Sequence, residues 1–269
     1  MKGAFSMKVL VLNKRSLAYF LAVFVLSLAL IVAVVNLIPI VAAAATAKRE
    51  LPIYNVDRQD KTISISFDAA WGNEDTQTLI NILNKYHIKA TFFVVGGWVD
   101  KFPESVKALS DAGNEVMNHS NTHPHMPTLS AEAMLKEITL CDEKIEKITS
   151  VKPTLFRPPY GDYNNTLIET LTSSTHYCIQ WDVDSLDWKG IPASQIKERV
   201  LSKVKPGSIV LFHNAALHTP EALPSIIESL QKDGYKIVPI SQLIYKDNYT
   251  IDHAGKQFGI QNSSMIAQP

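Results

Sequence analysis

The chain has 269 residues, 46% of them hydrophobic and 19% charged, with 26 basic side chains balanced by 26 acidic ones. A composition this apolar excludes an intrinsically disordered protein, and zero net charge excludes a nucleic-acid binder that relies on bulk charge. Eleven Gly, 14 Pro and two Cys exclude a collagen-like repeat and a disulfide-stapled scaffold, which leaves a globular chain.

Residues 1–47 read as a signal peptide or a transmembrane anchor. Leu17 to Val35 is a run of 19 residues without a charge, longer than the apolar core of about 7 to 15 residues in a secretory signal and sufficient to span a bilayer. Lys14 and Arg15 in front of it favour the cytoplasmic side, which puts everything after Lys48 outside. Ala45-Thr46-Ala47 offers a small-x-small cleavage pattern, so retention and cleavage both stay open. Either way the following 222 residues are exported; they carry 22 basic and 26 acidic groups, a net charge of −4, and fit one ordinary domain. Export points to an extracytoplasmic substrate such as the cell wall.

Residues 48–60 read as a linker. From Lys61 the pattern is regular. Thr62 to Phe67 alternates apolar and Ser residues as a strand does, and Thr76 to Tyr86 is helical. The spacing then predicts a strand over 90–95, a helix over 103–112, a strand over 114–118 and a helix from the N-cap Ser130 to about Ile148. Extended 154–156, helix 164–171, strand 177–181, helix 193–203, strand 209–212, helix 220–232 and strand 235–238 complete the domain, residues 61–246. Residues 247–269 read as a polar, loose tail. Seven short strands alternating with helices predict an α/β fold, either an open doubly wound parallel sheet or a barrel. Cys141, on an apolar helical stripe with Met134, Ile138 and Ile145, and Cys178 read as small core residues.

The chemically suggestive residues follow the strands. Asp68, His119, Arg157, Asp182 and His213 each stand directly after one, and in parallel α/β folds the carboxyl ends of the strands share one face. His119 and His123 place two imidazoles on a loop that Pro124 and Pro127 keep from becoming helical, a spacing that suits zinc or a similar cation. Surface decoration is the alternative for such a pair alone. Asp68 shares a strand face with Ser64 and Ser66 and reads as a metal ligand, a base acting on a metal-held water, or a plain turn residue. Arg157-Pro158-Pro159-Tyr160-Gly161 is able to pin a cation against a carboxylate and hold the Tyr160 N–H at a developing oxyanion; a Pro-rich turn explains it equally well. Trp181 to Trp188 sets three carboxylates between two aromatics, a common sugar-site composition, and His213 ends an apolar strand with a group suited to general-acid work. No G-x-S-x-G elbow supports a serine hydrolase.

The segments SFDAAWG, HSNTHP, RPPYG, VDSLDW and LFH, in this order over residues 61–246, resemble the five motifs of polysaccharide deacetylases, the NodB-homology group of carbohydrate esterase family 4. SFDAAWG, with Val11 to Asn13 ahead of an apolar helix, is most similar to the sporulation-associated members of spore-forming bacteria. The resemblance implies a distorted (β/α)7 TIM-like barrel holding a divalent metal, usually zinc. It implies an N-deacetylase of peptidoglycan or another N-acetylated polysaccharide, on the membrane or secreted to the cell wall. By motif, Asp68 is implied as the base, His119 and His123 as metal ligands, and Arg157 as the residue orienting Asp68. The Tyr160 N–H is implied as an oxyanion donor and Asp187 as tuning His213 or the Arg157 pair. Pro159, Trp188 and Leu211 fall on the substrate side, and His213 protonates the leaving amine.

One position departs from the family. Where a second Asp usually supplies the third metal ligand, this chain has Ala69. A methyl group binds no cation, and catalytic zinc sites usually have three protein ligands. Reduced activity is therefore expected, with Asp68, Glu74 or Asp75 as substitute ligands; a glycan-binding pseudoenzyme of the same fold is the alternative.

Overall fold

The computed structural model describes residues 13–46 and 49–260, and the chain divides into two compact units, residues 1–49 and 50–269. In the first unit Lys14–Thr46 form one helix, α1. Asn13 caps it by accepting the Ser16 N–H at 2.8 Å. After Lys14 and Arg15 this helix carries no charge as far as Val35, an 18-residue window of it has a mean hydropathy of 2.9, and that window has no buried side chain. By length and composition it is able to cross a membrane, a property a signal sequence shares. Ala47 of the cleavage-like pattern lies outside the described residues.

The second unit runs β1 (Asn55–Val56), β2 (Thr62–Ala69), α2 (Thr76–Lys85), β3 (Thr91–Val94), α3 (Gly96–Lys101), α4 (Pro103–Asp111), β4 (Glu115–Asn118) and α5 (Ala131–Thr149). It continues with β5 (Leu155–Phe156), α6 (Asn165–Ser173), β6 (Tyr177–Cys178), β7 (Val183–Asp184), α7 (Ala193–Leu201), β8 (Ile209–His213) and α8 (Thr219–Lys232). β9 (Lys236–Ile237), α9 (Ile240–Leu243), β10 (Tyr249–Ile251) and β11 (Lys256–Gly259) end it. The main sheet is parallel throughout, in the order β6-β5-β4-β3-β2-β8-β7, with β9 on the first residues of β2. All seven expected strands are present in this curled α/β sheet. β7 is additional: two residues among acids leave no periodicity to read.

The alternation of β2 sorts the molecule into layers. Ile63, Ile65, Phe67 and Ala69 join the apolar cluster beneath the helices. Phe67 stacks between Phe92 and Phe212, at centroid distances of 4.7 and 5.7 Å. The other face carries Ser64 and Ser66, whose hydroxyls donate to the Val238 and Val210 carbonyls, and then Asp68. Helix faces answer this pattern. α2 buries Leu79, Ile80 and Leu83, and α5 buries Met134, Ile138, Cys141 and Ile145, the spacing of one helical stripe. Both cysteines are buried and free, as expected of core residues.

Two boundary expectations need correction. The stretch read as a linker closes the sheet. Ile53 donates its N–H to the Cys178 carbonyl and accepts from the Gln180 N–H, while Asn55 bridges to Ser208 and Val56 donates to Gly207 O. Ile53 and Val56 are buried, so these residues are a seam between β6 and the start of β8, which the local charges disguised. Gly207 has φ +83°, and a Cβ there would stand 1.7 Å from the Val56 carbonyl, so the seam depends on its being glycine. The polar tail is likewise ordered as far as residue 260. β10 and β11 form an antiparallel pair, β11 runs parallel to β1, and the buried Gln257 side chain exchanges two hydrogen bonds with the Tyr245 backbone. Residues 261–269 lie outside the described residues.

Candidate active site

Ladder hydrogen bonds bring the strand ends into one cavity of about 490 Å³. Asp68 is in register with Phe93 on one side and His213 on the other, so adjacent strands set the carboxylate and the imidazole side by side. His119 continues β4 by donating to the Val94 carbonyl, and Arg157 continues β5 by donating to Asn118 O. Asp68, His119, His123, Tyr160, Trp188, Leu211 and His213 line this cavity, as expected of a shared site. Arg157 and Asp187, both wholly buried, stand behind it. Two expectations fail. Pro159 is buried and does not line the cavity, because its ring serves the turn before Tyr160. Asp182 accepts from Ser208 Oγ and the Ile209 N–H, so it braces the strand start instead of facing the site.

Arg157 organises the first half of the site. Its Nη1 donates to Asp68 Oδ1 at 2.7 Å, its Nη2 to Ser66 Oγ at 2.8 Å, and the guanidinium lies 4.2 Å from the Phe93 ring centroid. Burial by itself would raise the Asp68 carboxyl. The charge and hydrogen bond of Arg157, with the charge of His213, more than offset it and hold the group below its ordinary value. The carbonyl of the same Arg157 lies 2.7 Å from His119 Nδ1. A carbonyl only accepts, so Nδ1 carries the proton and the Nε2 lone pair points onward, 3.6 Å from Asp68 Oδ2.

The second half is built on Asp187. His213 Nδ1 donates to its Oδ1 at 2.8 Å, the His213 N–H and the Thr219 hydroxyl donate to its Oδ2 at 2.8 and 2.6 Å, and the Trp188 N–H donates to Oδ1 at 2.8 Å. Asp187 therefore serves His213 and not the Arg157 pair. Burial opposes the His213 imidazolium, but the hydrogen bond and charge of Asp187 outweigh it and raise that group above its ordinary value.

The histidine loop is clamped from α5. Glu137 accepts the N–H groups of Asn121 and Thr122 and the Thr122 hydroxyl, and Asp142 accepts from the Asn118 amide at 2.7 Å. A Cβ at Gly96 would stand 2.4 Å from Asn121 Oδ1, so glycine lets α3 press against this loop. Ser120, His123, Tyr160 and Leu186 take positive φ of 57–68°, left-handed conformations that cost of order 1 kcal/mol or more each and gather at functional sites.

Two imidazoles and one carboxylate are the donors the cavity offers a divalent ion at the histidine loop. His119 offers Nε2. His123, its ring centroid 5.0 Å from that of His119, is pushed down to about 4, chiefly by burial, so it is neutral at pH 7. The His119 lone pair and Asp68 Oδ2 face each other without a hydrogen between them, the arrangement a cation satisfies. The set is one ligand short. Among the described residues no three His, Cys, Asp or Glu side chains form a metal cage, and Ala69 lies in the apolar helix-side layer with Phe67. Neither Asp75 nor Glu74 replaces it: neither lines the cavity, and Asp75 turns its Oδ2 to the Ala215 N–H. The residues fit a weakly held ion on two imidazoles with one oxygen of Asp68 beside them.

Trp71, Trp181 and Asp184, which no strand-end position marked out, also line the cavity. Their motifs, SFDAAWG and WDVDSLDW, were the available signal. Glu137, Asp142 and Thr219 left none, because support through a fold is not written in local pattern.

Strand-end chemistry on a curled parallel sheet defines a class, and comparison agrees. The polysaccharide deacetylase family model matches residues 55–178. The chain belongs to the polysaccharide deacetylase family. It is 30% identical over 197 residues to the Bacillus subtilis peptidoglycan-N-acetylmuramic acid deacetylase PdaA, covering 72% of this chain and 75% of PdaA. It is 37% identical over 188 residues to PdaC of the same organism, covering 70% of this chain but only 40% of PdaC's length. Among solved structures, BA3943 from Bacillus anthracis, described as a CE4 family pseudoenzyme, is 35% identical with a TM-score of 0.70, covering 76% of this chain and 69% of that one. A mutant of BA3943 with restored enzymatic activity is equally similar, with a TM-score of 0.70.

Proposed function

We propose that the protein is a metal-assisted N-deacetylase of peptidoglycan, active outside the cytoplasm and in sporulation, whose turnover is held down by the missing ligand at Ala69. The observation that carries this reading is the pairing of Asp68 with Arg157 beside His213 with Asp187, a base and an acid at the ends of adjacent strands. Such an arrangement pushes two titratable groups to opposite protonation states, as acid–base hydrolysis requires. A divalent ion, zinc by its imidazole donors, would sit on His119 and His123 and polarise the acetamide carbonyl while acidifying water. Asp68 Oδ2 accepts the proton of the attacking water. Arg157 keeps that carboxylate anionic and aimed. The Tyr160 N–H, at a left-handed turn beside the cavity, serves the developing oxyanion. As the C–N bond breaks, His213, held by Asp187 through Nδ1, gives its Nε2 proton to the leaving amine. Leu211 makes an apolar wall for the acetyl methyl, and Trp188 flanks the sugar. Helix α1 acts as the membrane anchor or export signal.

The test is mass spectrometry of N-acetylchitooligosaccharides and muropeptides incubated with the protein and added Zn²⁺, Co²⁺ or Mn²⁺. Loss of acetyl groups is expected with added metal and none with chelator; no loss with any metal would refute turnover. The second reading, a glycan-binding pseudoenzyme, is favoured by Ala69 in the apolar layer and by the likeness to BA3943. It predicts glycan binding that survives chelation and Asp68→Asn.

A further inference from the structure

One carboxylate lining the cavity takes part in no ion pair among the described residues. Asp68 is matched by Arg157 and Asp187 by His213. Among the described residues no Lys or Arg lines the cavity, but Asp184 does, at the end of β7. Its Oδ1 accepts the Leu186 N–H at 2.8 Å, closing the turn that leads to Asp187. Oδ2 has no protein donor among the described residues. In the sheet order β4-β3-β2-β8-β7, Asp184 stands four strands from the histidine loop. The site thus has an acetamide end, at β4, β2 and β8, and an anionic end at β7 flanked by Trp181 and Trp188. A cation held by the two histidines would belong to the first end. Two basic groups stand near the second: Lys189, over the Trp188 ring at 4.9 Å, and Arg199, whose Nε donates to the Asp184 backbone carbonyl at 2.7 Å; neither lines the cavity or pairs with the Asp184 carboxylate.

Peptidoglycan offers two acetamido sugars that differ in charge. N-acetylglucosamine is neutral and presents hydroxyls; N-acetylmuramic acid carries a lactyl ether whose carboxylate, free or extended by peptide acids, is anionic. A carboxylate with an open oxygen accepts from a hydroxyl and repels a second carboxylate. We infer that Asp184 is a specificity-determining residue that selects N-acetylglucosamine units over the lactyl-bearing sugar. This rests on the glycan reading above and names the substrate within it.

The experiment is calorimetric binding to the full chain in detergent with chelator, so that nothing is hydrolysed. N-acetylchitotetraose is compared with a peptide-free GlcNAc–MurNAc tetrasaccharide at low and high salt. The native protein prefers chitotetraose by about two- to fivefold at low salt, the size of an exposed charge–charge interaction, and less at high salt. Asp184→Asn keeps an oxygen for the Leu186 N–H, so the turn is retained, and brings the ratio to about one. Lys189→Gln leaves the native ratio unchanged. An unaltered ratio in Asp184→Asn, a native preference for the muramyl ligand, or loss of muramyl binding in Lys189→Gln overturns the assignment while glycan binding stands. Binding of neither ligand overturns the glycan reading and the assignment together.

Discussion

Arg157 shows how much one residue carries: its guanidinium fixes Asp68 and its carbonyl fixes the His119 tautomer. Lysine there would keep the charge but not the fork, so Arg157→Lys is not conservative. In the proposed mechanism activity needs Asp68 deprotonated and His213 protonated. The rate should therefore rise through the lowered Asp68 value and fall as pH passes the raised His213 value. Asp187→Asn removes what raises His213, so the alkaline limb of kcat/KM should move toward acid and kcat should fall roughly 10²- to 10⁴-fold. A pH–rate profile of both proteins checks this, and an unmoved limb would remove His213 from the acid role. That Asp68, His119, Arg157 and His213 meet at one site was legible because each stands at the end of a strand in a parallel sheet. Asp182 obeyed the same rule and faces elsewhere, since position after a strand does not say which way a side chain turns.

At the scale of elements, α5 supports both the core and the site. Its buried stripe was readable from period, and Ser130 caps it through the Ala133 N–H as its sequence suggested. Its other face was not readable. Glu137 accepts three donors from the histidine loop, which holds Ser120 and His123 in left-handed conformations. Glu137→Ala should release that loop: metal-dependent activity should drop about tenfold or more, while the melting temperature falls by a few degrees at most, a loss of about 1–2 kcal/mol. Activity titrated against metal concentration, beside a thermal melt, separates the two effects. β2 is the opposite case, a strand whose every second residue announced its side. Phe67→Ala should cost about 3–5 kcal/mol because the ring is stacked on both faces inside a closed layer, measured by urea unfolding.

For the molecule as a whole, alternation of strand and helix was enough to foresee a parallel sheet, but not how the sheet closes. Closure falls to Ile53, Asn55 and Val56, three residues between charged neighbours with no repeat to betray them. A chain beginning at Lys61 leaves the Cys178 carbonyl, the Gln180 N–H and the Gly207 carbonyl without partners, and several exposed buried groups of this kind cost about 1–3 kcal/mol apiece. Such a chain should aggregate on expression while one beginning at Arg49 stays monodisperse in size-exclusion chromatography. Because Ile53 follows Thr46 by only seven positions, any protease that frees the domain has a very short window in which to cut. A nick upstream of the seam yields a whole domain with a stub; a nick a few residues later removes the last stave and spills the barrel.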